Sequence, residues 1–568
     1  MSSTTSWASL PAEIREAILS QVGLPILWKR NSDQRPPKVA RFASVCRQWQ
    51  VFFEACTFRR LVLNTGSLRY FNKIIKRDST RLRYMRNIWL RIRLPEYTCP
   101  NCEVPEDKFT QQCNNVVFTD SIQCLLNTLK LWDPDRHGAE GLALMVSASS
   151  PSDTTHRFII GDMRKRYPFH PAEDRDVPPG ITDVHRSYHT RSFTFYCHYG
   201  DLVSELGGHI KRMQGTPLRF EPLMNETDGA NGEYKNLPAV PMIKGLVMRR
   251  QNRREIDMRS LSCLLSRSLV SLEWFRLERT VHPDITEQVS FELGFQTHLL
   301  PSLPKTLRQF SFVQWKIPPR ERRDVLRTVG TIVSPYSLGY LPREMAKLSQ
   351  RLEQFCPPWQ MDTAAFLKSM IELEASPRRV DSSLKRLILR FVPTKSETSR
   401  QDFESVVILA AEAALSLPQL EVIELWGTRL DKEKDCDAYI FRYVNRPGGA
   451  SIVWRSSENI TSIQPRIITK WNEVAQKHTH SAVEYSVVPF SETRDEIFNS
   501  GGTFIYQHLL LKELAFDRIT QIILENEDFY WDWGEASDAS LERDPRLQYL
   551  ADITAEDLAA CLEAIDDD

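Results

Sequence analysis

The sequence predicts an α/β chain in three parts: a small helical module at the N-terminus, an irregular solenoid of stacked β-then-α units, and a helical C-terminal cap. Two amphipathic segments separated by a polar loop open the chain. Beyond them, short apolar or alternating segments recur. Several share one local shape: Leu, two residues, an apolar residue, one residue, then Leu or Phe. Helical patterns rich in Ala and Leu, such as Phe403 to Leu417, lie between these segments.

The first element is a helix over Leu10 to Gln21, with Ser9 as N-cap and Pro11 and Glu13 in its first turn. Ile14, Ile18 and Leu19 are spaced for one apolar face. A Pro-containing loop, Lys29 to Pro37, precedes a second helix from Lys38, where Val39, Phe42, Val45, Cys46 and Trp49 fall at helical spacing. Phe52 and Phe53 extend that surface, and Phe58 to Leu63 turns extended.

The recurring strand-like segments are Ile88 to Leu94, Leu142 to Val146, Ile243 to Met248, Leu272 to Leu277, Leu307 to Phe312, Leu384 to Leu389, Leu420 to Leu425 and Ile452 to Trp454. Adjacent copies often sit roughly 30 to 35 residues apart, longer than the common leucine-rich repeat. The interval from Phe312 to Leu384 is longer and holds an insertion or a degenerate copy. One such unit cannot cover its own apolar face, but stacking can, with strands on a curved parallel sheet and helices outside. An ordinary α/β domain with chance Leu spacing is the competing reading. Ser147 to Thr155, Glu173 to Asp183 and Glu221 to Pro241 read as loops. From Trp471 onward the pattern is helical, notably Phe504 to Glu525, before an acidic end, Glu556 to Asp568. The expected organisation is therefore residues 1–64, residues 65–470 with loop insertions near 147–240, and residues 471–568.

Composition narrows the function classes. The 568 residues are 42% hydrophobic and 26% charged, a globular composition. Lys plus Arg equals Asp plus Glu at 73 each, which argues against general nucleic-acid binding. No apolar run approaches the roughly 18 residues of a transmembrane helix. Met1 to Ser9 lacks a secretory pattern. Eleven unevenly spaced cysteines do not form a disulfide framework. An intracellular setting, cytoplasmic or nuclear, with reduced thiols follows as the expectation.

Leu10-Pro11-Ala12-Glu13-Ile14 followed by Ile18-Leu19 resembles the opening of an F-box. Val45-Cys46-Arg47-Gln48-Trp49 resembles its second characteristic block, and Phe58 to Leu63 resembles the exit seen in fungal F-box proteins. The spacing between the blocks is stretched by the loop from Leu24 to Lys38. The resemblance covers about a tenth of the chain. It implies docking on a Skp-type adaptor, and through it membership of a cullin–RING ubiquitin ligase. It further implies that Leu10, Pro11, Ile14, Ile18, Leu19, Val45, Cys46 and Trp49 face the adaptor or support that face. Trp49 and Phe42 weigh towards the core of the helical pair. The remainder of the chain looks like a leucine-rich-repeat-like α/β solenoid, the substrate-binding half of such receptors. A repeat scaffold outside the ubiquitin system is the alternative.

The sequence predicts no catalysis and no cofactor. Cys99 and Cys102 form a CxxC pair with Cys113 as a conceivable third zinc ligand, but no second pair accompanies them, and ordinary loop thiols are expected. His478-Thr479-His480 lacks a carboxylate partner and reads as a solvated turn. There is no phosphate loop, no HExxH and no GxSxG. Asn499 to Gly502 reads as a turn. The basic run Arg249 to Arg254 reads as a solvated loop, with an acidic or phosphorylated partner as the sharper alternative. Phe529, Tyr530, Trp531 and Trp533 are expected to anchor the C-terminal cap.

Overall fold

The computed structural model describes residues 7, 10–28, 39–98, 101, 104–155, 212, 214–221, 237–249, 254–280, 285–315, 341–359, 361–375, 382–391, 399–430, 436–457, 462–493 and 503–516. These residues form a mixed α/β structure around one twelve-stranded sheet. Its strands are β1 (Arg60–Asn64), β2 (Asn87–Arg93), β3 (Leu142–Ser149), β4 (Ile243–Met248), β5 (Trp274–Thr280), β6 (Gln309–Trp315), β7 (Gln354–Cys356), β8 (Arg386–Arg390), β9 (Val422–Leu430), β10 (Cys436–Arg446), β11 (Gly449–Ser456) and β12 (Val483–Pro489). Their order across the sheet is their order along the chain. Pairing is parallel from β1 through β9. It is antiparallel through β9, β10 and β11, and parallel again onto β12.

Parallel neighbours need a crossover of a dozen residues or more, and helices supply it. Helix α1 (Ala12–Trp28) and α2 (Arg47–Arg59) precede β1, α3 (Leu68–Arg77) follows it, and α4 (Lys108–Leu129) lies between β2 and β3. The Asp107 carboxylate caps α4 by accepting from the Thr110 backbone N–H at 2.7 Å. Later crossovers use Leu341–Ser349, Thr363–Glu374, Ser399–Ala414 and Pro465–Thr479. No described helix is long and apolar enough to cross a membrane.

The period-two alternation of strands sorts side chains onto two faces. One residue from each of β1 to β11 forms a single cross-sheet row: Leu61, Ile88, Leu144, Leu246, Phe275, Phe310, Phe355, Leu387, Ile423, Tyr443 and Ile452. All of these sit in the main core beneath the helices. The Leu of the repeated pattern lies three residues earlier, and Leu272, Leu307, Leu352, Leu384 and Leu420 are all buried. The residue after each such Leu presents its carbonyl to the next unit. Glu273 O accepts from Arg308 N at 2.7 Å and Gln309 N at 3.1 Å, Arg308 O from Glu353 N and Gln354 N, and Glu353 O from Lys385 N and Arg386 N. Charge alternates at that same position through Lys244, Glu273, Arg308, Glu353, Lys385 and Glu421. Ion pairs join Lys244 to Glu273 at 3.2 Å and Lys385 to Glu353 at 3.1 Å.

Every predicted strand is present, shifted by two residues or fewer at its start, apart from Ile452 to Trp454, which is the centre of the longer β11. The long interval after Phe312 contains β7, where Leu352 just before the strand and Phe355 within it keep the Leu-x-x-apolar spacing. Pro357 and Pro358 end it at once, because neither can donate to a ladder. Ser147 to Thr155 is not a loop: β3 runs to Ser149, and Pro151–Thr155 is a helical turn. Of Glu221 to Pro241, residues 222–236 lie outside the described residues, as does all of Glu173 to Asp183.

The helical tail is corrected. Position 471 falls inside the helix Pro465–Thr479, and β12 then continues the sheet. Val483 and Val487 alternate with polar residues, which suits a half-covered edge strand better than a helix. Phe504 to Glu525 is not a continuous helix up to residue 516. It comprises a 3-10 segment, Thr503–His508, and a single turn, Lys512–Ala515, laid on the face opposite the helices. Residues 517–568, including the aromatic group at 529–533 and the acidic end, lie outside the described residues.

The N-terminal pair also differs in detail. Helix α1 starts at Ala12 rather than Leu10 and runs to Trp28, and Ser9 lies outside the described residues. The second helix is broken into a 3-10 segment, Val39–Ser44, and α2. The Ser44 hydroxyl donates to Arg41 O at 2.8 Å, a local bond that competes with helix continuation. Cys46 is fully extended at φ −165° and ψ 168°, so Val45 and Cys46 form a corner.

Candidate functional site

The candidate docking residues lie on this N-terminal pair. Trp7, Phe42, Trp49 and Phe53 build its interior, with Trp7 to Trp49 centroids at 5.8 Å and Trp49 to Phe53 at 5.6 Å. Gln48 ties the two helices together. Its Oε1 accepts from Trp7 Nε1 at 3.0 Å and from Arg15 Nη1 at 2.9 Å. At the far end of α2, Glu54 accepts from Arg81 at 2.8 Å, both side chains being nearly buried. The Arg81 guanidinium also lies over the Phe58 ring at 5.7 Å. Phe58 belongs to the same core as β1 and β2, so α2 is welded to the sheet.

The eight residues divide clearly. Leu19 is 2% exposed and packs inward. Leu10 and Trp49 are half-buried. Pro11 and Cys46 are exposed, as are Ile14 at 48%, Ile18 at 37% and Val45 at 58%. Ile14 and Ile18 are one helical turn apart on α1, so they share a face. Val51 on α2 adds a further exposed aliphatic group. Exposed aliphatic groups are ordinary on a protein surface, and these four lie on or beside α1 and α2.

A second group was invisible in the sequence. At the carboxyl ends of β2 to β4, Arg254 pairs with Glu106 and donates to Arg212 O at 3.2 Å. The other Glu106 oxygen accepts from Thr216 N at 2.9 Å. Tyr97 donates its hydroxyl to Asp153 at 2.9 Å, and Ser150 N donates to the second oxygen at 2.8 Å. Burial pushes the Asp153 carboxyl up, against the pull of Arg254. Burial, then the neighbouring Asp153, raises the Tyr97 hydroxyl well above its usual range. The chain closes tightly here: Gly215 has φ +58°, and a Cβ there would stand 1.6 Å from Arg254 Nη1. These groups spend their hydrogen bonds on one another and knit four loops together.

That cluster corrects the basic run. Arg249 and Arg254 are not solvated. Arg249 is buried with its guanidinium 5.6 Å from the Trp89 ring, and Arg254 is buried against Glu106. Residues 250–253 lie outside the described residues, as do Cys99, Cys102 and Asn499 to Gly502. Cys113 is half-buried, and burial raises the Cys124 thiol. Among the described residues no group of three metal-ligating side chains exists. His478 ends the helix Pro465–Thr479 half-buried, its imidazole made less basic by burial and then by Lys477. His480 caps that helix in the left-handed region at φ 57°.

A family model described as a family of unknown function (DUF6546) matches residues 302–517. The matched segment runs from just before β6 to just past Phe516 and omits the N-terminal helices. Neither the curated proteins nor the solved structures contain a match to this chain.

Proposed function

We propose that this chain is the substrate-recognition subunit of an SCF-type cullin–RING ubiquitin ligase. Its N-terminal helices act as an F-box that docks a Skp-type adaptor, and its leucine-rich-repeat-like α/β solenoid carries a protein substrate. The observation that carries the reading is the surplus of exposed apolar side chains, Ile14, Ile18 and Val45 beside Pro11 and Cys46, on a helical pair whose interior is already filled by aromatic rings. The solenoid half is supported by strand order equal to chain order and by the carbonyl relay between successive units. The function is proximity: a substrate held beside activated ubiquitin reacts at raised effective concentration.

The test is co-purification of the full chain with a Skp-type adaptor. Ile14→Asp with Ile18→Asp places two charges in the contact at surface positions, so the fold survives. Loss of the pair of anchors costs about 2 kcal/mol or more in total, so binding falls at least about 30-fold. Absence of a complex with the unaltered chain, or indifference to the double substitution, refutes the proposal.

A second reading is a repeat scaffold whose N-terminal helices cap the sheet. The continuity of α2 with β1 and the buried Glu54–Arg81 pair favour it. It requires that the unaltered chain form no adaptor complex, so the same experiment separates the two.

A further inference from the structure

Residues 503–516 form a strap across the face of the sheet that the helices leave open. Beneath it, Val313, Trp359, Ile388, Trp426 and Ile440 make an apolar cluster separate from the main core. The strap fills that cluster with Phe504, Ile505, Leu509, Leu511 and Phe516. It joins no strand of the sheet. The sheet instead grips its backbone with side chains. The Glu424 carboxylate, fully buried, accepts from Leu510 N at 3.0 Å and Leu511 N at 2.9 Å. Arg442 donates to His508 O at 2.6 Å, the Ser311 hydroxyl to Ala515 O at 3.3 Å, and Arg276 to Glu513 O.

Such a face reads a peptide by its main chain and leaves side-chain pockets to choose the sequence, which is how grooves hold peptides. The strap does not use everything the face offers. Trp426 is completely buried, yet its indole N–H has no hydrogen-bond partner among the described residues. The Arg390 guanidinium lies over that ring, 5.3 Å from its centroid, and adds positive charge to the same face. The strap is also a small part of the architecture: two helical pieces of six and four residues, ending at the limit of the segment that the family model matches.

We infer that the open face over β6 to β10 is a peptide-binding groove, occupied in cis by residues 503–516. The partner it fits is a peptide of the same kind, with aliphatic and aromatic side chains around a turn whose main-chain N–H groups reach Glu424 and whose carbonyls reach Arg442, Ser311 and Arg276. That partner binds by displacing the strap. The inference stands apart from the adaptor proposal, because the groove does not involve the N-terminal helices.

Two measurements on the full chain test it. In hydrogen exchange of the unaltered protein, the Leu510 and Leu511 amides should exchange at least tenfold faster than those of β9, because the strap opens as its own unit. Exchange at the β9 rate overturns the inference. In the second, a fluorescein-labelled peptide of residues 503–516 is titrated into the unaltered chain and into Leu509→Ser with Leu511→Ser and Phe516→Ser. The groove is intact in that variant and its tethered occupant is weakened, so binding should tighten at least tenfold. Equal or absent binding with sheet structure retained overturns the inference. So does loss of the sheet, which would make the strap core rather than occupant.

Discussion

The Glu54–Arg81 pair joins the N-terminal helices to the sheet, and breaking it measures how firmly. At 2.8 Å and an effective dielectric constant near 20, the bare attraction is about 6 kcal/mol. Desolvation of two side chains that are only 6% and 11% exposed offsets most of it, so the pair contributes little against an apolar isostere. Removing one partner is different, because the other charge stays buried. Arg81→Leu leaves Glu54 with one 3.2 Å bond from Gln50, and Glu54→Leu leaves Arg81 facing the Phe58 ring. Each single substitution is therefore expected to destabilise by about 3 kcal/mol, the low end for a broken buried pair. The double substitution should fall within about 1 kcal/mol of the unaltered protein, giving a coupling energy of about 5 kcal/mol, large for a contacting pair. Urea titration of the four proteins, followed by far-ultraviolet circular dichroism, supplies the numbers. Single effects below about 1 kcal/mol that simply add would refute the weld and leave the helices loosely attached.

Two further outcomes can be measured. Glu353→Lys puts a third cation between Arg308 and Lys385 on the strand-entry edge, and should destabilise by about 0.5–1 kcal/mol at low salt, a loss that shrinks in 1 M salt if it is electrostatic. Burial, the largest single influence, would raise the Glu492 carboxyl, but the hydrogen bond from His508 at 2.8 Å, together with those from its own backbone and Ser491 and the attraction of His508, holds the group below its ordinary value of 4.5. A lowered carboxyl stabilises fully above that ordinary value and loses its contribution as pH falls through the folded value. Strap protection in hydrogen exchange should therefore weaken on acidification below about pH 4.5, and Glu492→Gln should flatten that dependence; an unchanged profile in the variant removes Glu492 from the strap's attachment.

The strands with Leu three residues before an inward apolar group were legible because the pattern states both the entry and the facing side. β10 lacked that signal. Its run from Ala438 to Val444 is apolar on both faces except at Arg442, since the core lies on one side and the strap on the other. The turn Pro447-Gly448-Gly449, with φ of +104° and +156° at its glycines, could have disclosed the hairpin and hence the antiparallel switch. So short a link leaves no room for a parallel crossover. In the candidate site, helical spacing placed Ile14, Ile18 and Leu19 on one apolar face, but only Leu19 is buried, because the packing partner and not the spacing decides which part of that face is covered. The burial of Arg254 does not, because its partner Glu106 is 148 positions away and local sequence carries no trace of that distance. The strap was misread for the same reason: Phe504, Leu511 and Leu514 satisfy a helical pattern equally well, and only a receiving face decides otherwise.

Strand order equal to chain order also fixes the order in which this molecule can be finished during synthesis. Each unit leaves the ribosome able to pack on the one before it, so most of the sheet can assemble while translation continues. The strap is the exception. Its bonds to Arg276 and Ser311 reach back 237 and 204 positions, the longest reach of any side-chain bond described. A chain stopped before residue 503 would hold all twelve strands with Trp359 and Trp426 bare, a surface of the sort that chaperones and degradation machinery recognise. Closure of the strap thus distinguishes a chain that extends past residue 516 from one stopped before residue 503.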